Sequence, residues 1–393
     1  MADTKITGLA TAVAIGTDII PFVDDPGGGA PVTKKTTFAT IPHTILGSIG
    51  SNSHAIIDAA IAMLHSGRLT LTTALPVTTA DVTAATQIFF TPHRGNVIAL
   101  WDGASTWVLH EYTELSLYST DVQNGTFTNG SKVISGLTDA RRLAVGMTIT
   151  AAHMGGTIAS INSNTQVTGS ANATASETVS TTFKVAASLP VDVFVAYWGD
   201  AVVLRQIIWT SGTARATALQ YQDGVWVSSG DTTWRYLGTY RTTLTAGQIE
   251  DSVTKRFVWN YYNRALRYLY CKEATDHFYN GAVRKWMNAD TNNLLEVVVG
   301  IAEESLTVSI EAVIKAGADA SYYTVRFYAD GADAGIGVTG GDLSTYNVQF
   351  SGSAAGYPVP VPVIGYHYYQ VYELGNHATS EGLAMMMRMQ VMM

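Results

Sequence analysis

The sequence predicts an all-β chain built from several antiparallel bodies, and three observations carry that prediction. Charged residues make up only 14% of 393 while glycine numbers 36, a mixture that suits short strands and turns and denies long surface helices the Glu and Lys their wet faces need. Through residues 185–262 short apolar runs recur at roughly ten-residue intervals, separated by Gly199-Asp200, Ser211-Gly212 and Asp223-Gly224, the spacing an antiparallel sandwich gives. Within 255–264, Phe257, Trp259 and Tyr261 alternate with Val258, Asn260 and Tyr262, so an extended strand there has two faces to cover. That stretch reads as a central strand joining two β-rich bodies. The full expectation is N-terminal strands, one short helix, an antiparallel β-sandwich carrying an inserted small β module, and a C-terminal β-sandwich.

Residues 1–50 hold two short strand candidates, 18–25 and 32–38, around the turn Pro26-Gly27-Gly28-Gly29. Two such strands bury too little surface to stand alone and need a partner. The glycine run is read as a turn, because a phosphate loop needs a Lys-Ser/Thr pair opening a helix at fixed spacing, and Pro31 to Lys35 supplies neither.

Residues 51–67 predict the helix. Ser53 can cap it, Ile56, Ile57, Ala60, Ile61 and Leu64 repeat at helical spacing, and Gly67 can end it. Only His54, Asp58 and His65 are strongly polar there, so apolar surface wraps most of the circumference and the helix needs burial. The same helix from symmetry-related copies is the simplest cover.

The sandwich is expected in two pieces, 68–120 and 185–262, interrupted by 121–184. The interrupting segment is almost free of Trp and Tyr, and its short β-branched runs are separated by Gly, Asn and Ser. Loop closure depends only weakly on loop length, so a module inserted in one loop is tolerated. Residues 263–393 close the chain with strand candidates at 294–300, 306–313, 322–328, 346–350 and 365–374. The end, rich in Met from Met385 to Met393, is expected to be buried between subunits, because methionine fills irregular apolar grooves.

Composition also bounds function. A net charge of -8 argues against phosphate neutralisation, so nucleic acid is not an expected partner. Cys271 is the one cysteine and sits among Tyr268, Leu269 and Tyr270, which points to a packed thiol rather than a nucleophile. The start lacks a basic region followed by an apolar one, so no secretory signal is expected, and Asn124, Asn129 and Asn172 carry no glycosylation meaning without one. No apolar run approaches the roughly 20 residues of a membrane span. Neither Asp24-Asp25 nor Glu303-Glu304 can grip one glycosidic bond, since neighbours on a strand point apart. His93, His110, His153, His277, His367 and His377 lie at no metal-ligand spacing with carboxylates. No catalytic residue, metal or cofactor is expected.

The ordered set Asp3 to Leu9, Thr17 to Val23 and Thr33 to Phe38 resembles the N-terminal module of many tailed-bacteriophage fibre proteins, over roughly the first forty residues. Residues 91–103, 235–243 and the Gly365-Tyr366-His367-Tyr368 strand are similar to the same group, of a type common in environmental phages. The resemblance implies a homotrimeric virion protein made in a bacterial cytoplasm. Its anchor to other virion proteins would be Asp18, Ile19, Ile20, Pro21, Phe22, Val23, Lys34, Lys35 and Phe38. The copies would meet through Ile56, Ile57, Ala60, Ile61, Leu64, Met386 and Met389. Tyr322, Tyr323, Tyr346 and Tyr357 are candidates for binding a host surface glycan or protein. A capsid-attached head fibre or decoration protein without a receptor is the alternative. A polysaccharide depolymerase is the third reading, weakened because the rung-like period of a β-helix is not found.

Overall fold

The computed structural model describes residues 19–24, 32–37, 61–280, 285–303, 306–315, 322–341, 345–350 and 363–393. They form an all-β protein of several sheets, and the chain divides into two compact units, Met1–Ala60 and Ile61–Met393. In the first, Ile19–Asp24 pairs antiparallel with Val32–Thr37, running from Ile19 opposite Thr37 to Asp24 opposite Val32. Most of the expected helix, including Ile56, Ile57 and Ala60, lies outside the described residues. Ile61 and Ala62 close a helical turn at its far end.

The second unit begins with a sandwich. On one side Arg68–Thr70, Gln87–Thr91 and Leu115–Tyr118 pair in that order, beside the hairpin of Val97–Trp101 with Trp107–Glu111. On the other, Pro190–Tyr197 lies between Val202–Ile208 and Arg235–Arg241, and every residue of Arg235–Arg241 is buried. Leu69, Ile88, Phe90, Leu100 and Leu117 meet Val191, Val193, Val195, Leu237 and Tyr240 between them. Burying apolar side chains contributes about 1.5–3 kcal/mol each, so this core is the main source of stability.

The turn at Ile61 is tied to the core by Arg235. Its side chain is 0% exposed and its Nη1 donates toward the carbonyls of Ala62 (2.9 Å), Leu64 (3.2 Å) and Ala99 (2.9 Å). A cation is favoured at a helix C-terminus because the last carbonyls lack amide partners.

The 255–264 stretch is buried as expected at its centre, with Phe257, Val258, Trp259 and Asn260 between 1% and 6% exposed. It is not one continuous strand. Lys255–Arg256 runs parallel to Leu294–Val299, whereas Val258–Asn260 pairs antiparallel with Arg235–Arg241. The chain changes sheets at Phe257, and two-faced burial marks that crossing. Its pairing to Arg235–Arg241 is close: a Cβ on Gly238 would overlap the Trp259 carbonyl oxygen.

Residues 120–184 make a six-stranded sheet of their own. Its first and last strands, Thr120–Phe127 and Glu177–Lys184, pair along their length from Thr120 opposite Lys184 to Phe127 opposite Glu177. The two ends therefore leave the neighbouring sheets side by side. Phe127, Ile134, Met147, Ile149, Val167 and Phe183 fill its interior.

The C-terminal body is organised by one strand, Gly365–Met392, of 28 residues. It pairs in turn with Leu294–Val299, Tyr322–Ala329, His277–Asn280 and, at its end, with Leu266–Glu273 on one side and Thr307–Lys315 on the other. This corrects the expectation for the methionine-rich end. Met385, Met387, Met389, Val391 and Met393 are between 0% and 5% exposed and pack on Leu269, Cys271, Val308 and Ile310 of the same chain. The reason is periodicity: apolar side chains at every second position line one face of a strand.

Candidate functional site

An accessible constellation of chemically useful side chains lies where two strand ends meet. Pro190–Tyr197 is buried up to its last residue, and Tyr197 is 48% exposed at the point where the chain turns. Gly199 and Asp200 take that turn with φ of 61° and 62°, a conformation open to glycine and tolerated by aspartate. Beside it, Trp107–Glu111 turns Trp107 inward and leaves Val108 and Leu109 exposed. Its tip is held by Asp102, whose carboxylate accepts the amides of Ala104 (2.8 Å), Ser105 (2.8 Å) and Thr106 (3.1 Å). Those three amides lower the Asp102 pKa.

His110 and Tyr197 stack with ring centroids 4.5 Å apart at 25°. They line an open groove of about 440 Å³ together with Asn96, Glu111 and Asp200. Partial burial lowers the His110 pKa from its ordinary 6.5, so the ring is neutral at pH 7 and can both donate and accept a hydrogen bond. The groove thus offers an aromatic stacking surface, an amide and two carboxylates, a set suited to a polyhydroxylated ligand. A second exposed stack, Tyr221 on Trp226 at 3.7 Å, stands on the Leu219–Gln222 and Val225–Ser228 hairpin.

Elsewhere one acid–base pair, His153 with Glu177 at 3.4 Å, is exposed at 44% and 29%, and another is sealed. His277 and Glu373 meet at 2.9 Å with side chains 6% and 0% exposed, out of reach of a polymer. Burial pushes the Cys271 thiol up to about 12, which keeps it protonated and unreactive. Among the described residues no group of three or more His, Cys, Asp and Glu could hold a metal ion.

The residues named from sequence are scattered. Ile19, Ile20, Pro21, Phe22 and Val23 form one strand of the N-terminal hairpin, with Lys34 opposite Phe22 and Lys35 opposite Pro21; Asp18 and Phe38 lie outside the described residues. Ile61 packs on Ala62, Ala99, Trp107, Val225 and Val227, and Leu64 is 45% exposed. Met386 is on the outward face of the long strand, but Met389 is 1% exposed inside its own chain, so its assignment to a contact between copies is corrected. Tyr322 is 37% exposed, whereas Tyr323, at 0%, belongs to the core and cannot touch a receptor. Tyr346 lies in the strand Thr345–Phe350, and Tyr357 is outside the described residues. Sequence reasoning missed Tyr197 and Asp200. The available signal was an aromatic ending a buried strand directly before a Gly-Asp turn.

No known protein family matches the sequence, and no curated protein does. Among solved structures, the VP2 subviral particle of infectious bursal disease virus aligns over 70% of this chain and 71% of its own, at 7% identity and a TM-score of 0.24. The Gx strain of the same virus aligns over 69% and 72%, at 10% identity and a TM-score of 0.23. Scores this low carry no weight for fold or function.

Proposed function

We propose that the chain is a structural fibre or spike protein of a tailed-phage virion, anchored by its N-terminal segment and projecting β domains for host-surface attachment. One observation carries the reading. The segment that resembles a fibre anchor falls within a compact unit of its own, Met1–Ala60, preceding an all-β body in the sequence. A separate attachment module on a β-rich body is what a projection fixed at one end requires.

Three copies assemble in this reading. Leu266, Tyr268, Tyr270 and Met392 are 47%, 56%, 48% and 38% exposed, and Leu266 lies opposite Met392 on adjacent strands with Tyr268 and Tyr270 following on the same face. Met386 points outward on that face too. Such a row of apolar and aromatic side chains gains from burial against another copy. The groove of His110 and Tyr197 serves attachment, and its mixture of stacking and polar groups favours a host-recognising fibre over the alternative of a capsid-attached head fibre or decoration protein. No catalysis is assigned to the chain, and depolymerisation of surface polysaccharide is the reading set aside.

The test is binding of the purified protein to host cells, with competition against infection. Binding that protects cells supports the attachment reading. Absence of binding, with antibody to the protein labelling the capsid, moves the assignment to decoration. Release of reducing sugar from host polysaccharide contradicts both.

A further inference from the structure

Below the sandwich's Arg68–Thr70 strand is a small, partly enclosed cavity with room for the centre of one monatomic guest, about 10 Å³. Its walls include three guanidinium groups, Arg68, Arg256 and Arg267, and a single carboxylate side chain, Asp251. Arg68 is 3% exposed, and Arg256 and Asp251 are each 7% exposed. Asp251 is fully committed: Oδ1 accepts from Arg256 Nη1 at 2.9 Å and Oδ2 from Arg267 Nη2 at 3.1 Å. Arg68 has no carboxylate side chain within ion-pair distance among the described residues. It donates only to main-chain oxygens, those of Pro76 (3.0 Å), Asn263 and Met393 (2.9 Å).

Two positive charges are thus left over among side chains that are largely withdrawn from water. Counting the main-chain oxygens of Met393 as a full negative charge would still leave one. Donors also outnumber acceptors. Arg256 Nε is buried and has no hydrogen-bond partner among the described residues, and the Thr70 and Thr78 hydroxyls, 3.0 Å apart, can satisfy each other with only one of their two protons. Asn260 cannot help, because its side chain is already bonded to both the amide and the carbonyl of Leu69. Burying a cation without a counter-charge is costly. A water molecule brings two protons that need acceptors, whereas the walls supply mainly donors; an acceptor-only anion meets both needs.

We propose that this cavity binds a monatomic anion of the halide class, chloride under ordinary conditions. The anion completes the charge balance of the three arginines and thereby locks the Arg68 strand, the crossing segment near Arg256 and the strand Leu266–Glu273 together. The guest is one ion rather than phosphate or a carboxylate ligand, because the space admits a single centre.

The direct experiment is a crystal of the full chain grown in bromide, with anomalous scattering recorded at the bromine edge, alongside thermal unfolding in halide and in a large non-halide anion at constant ionic strength. The expected result is a bromine peak between Arg68, Arg256 and Arg267, and a melting temperature that shifts upward with halide but not with the bulky anion. Arg267→Gln removes one charge from the rim and should lose both the peak and the halide shift. A cavity without bromine in the unaltered protein overturns the proposal whether or not that variant folds. So does a melting temperature that follows ionic strength alone.

Discussion

Truncating one methionine inside the long C-terminal strand and its neighbour outside separates a core from a contact between copies. Met387 is 0% exposed and packs against its own chain's core; removing most of a sealed side chain of that kind costs about 2–5 kcal/mol, the transfer term plus the cavity left behind. Met386, one position earlier, faces outward beside Arg388, whose Nε lies 2.9 Å from its sulfur. Its truncation should cost an isolated subunit under about 1 kcal/mol. Urea unfolding followed by tryptophan fluorescence reads both. Met387→Ala should lower the midpoint by the same amount at every protein concentration, because the lost contacts are internal. Met386→Ala should lower the midpoint only where copies are assembled, and its deficit should fade as dilution separates them, because its contribution is to assembly. A Met387→Ala deficit that depends on concentration, or a Met386→Ala deficit that persists undiminished on dilution, would refute the inside–outside alternation.

Other consequences are as specific. Gly238→Ala should destabilise the sandwich by about 1–3 kcal/mol, because the new methyl overlaps the Trp259 carbonyl and either the strand pairing or the backbone shifts; an unchanged urea midpoint would contradict it. His367 sits between the Asp330 carboxylate (2.7 Å from Nδ1) and the Val363 carbonyl (2.6 Å from Nε2), so both nitrogens face acceptors. Burial disfavours its charge, yet these two bonds prevail and raise its pKa above 6.5. A raised folded value means stability that is complete below the unfolded pKa and lost as pH climbs through the folded one. His367→Gln should therefore cost more at pH 6 than at pH 8, and an equal cost at both would oppose the assignment. Cys271 should resist thiol reagents until the protein unfolds, since burial holds its thiol protonated. Tyr197→Ala should abolish cell binding while leaving the melting curve in place; retained binding would remove the groove from the attachment reading.

Much of the fold was legible because alternation is a local signal. The strand over Arg235–Arg241 and the burial of Phe257 to Asn260 announce themselves by their apolar and aromatic residues, but the change of sheets at Phe257 does not, and from sequence 255–264 reads as one strand. The segment 121–184 stands out by composition, and its first and last strands pair. The methionine-rich end was misjudged for a related reason: methionine has weak strand preference and suggests gap-filling, so its period of two from Met385 to Met393 was read as composition. Tyr323 was misplaced because two adjacent tyrosines on a strand differ only in which way each points, and register is fixed by the partner strand. The groove was illegible for a deeper reason. His110 and Tyr197 are 87 residues apart in sequence, and only the folding of one hairpin beside a strand end brings their rings together. The arginine cavity likewise draws on Arg68, Asp251, Arg256 and Arg267, which no spacing rule connects.

The claim that matters most is that copies of this polypeptide build one projection together. Light scattering on the purified full chain measures that directly: the account predicts a particle of three times the 42.0 kDa chain mass, falling to single chains when Tyr268 and Tyr270 are both changed to serine. A stable species of 42.0 kDa from the unaltered chain, at every concentration tried, would contradict it.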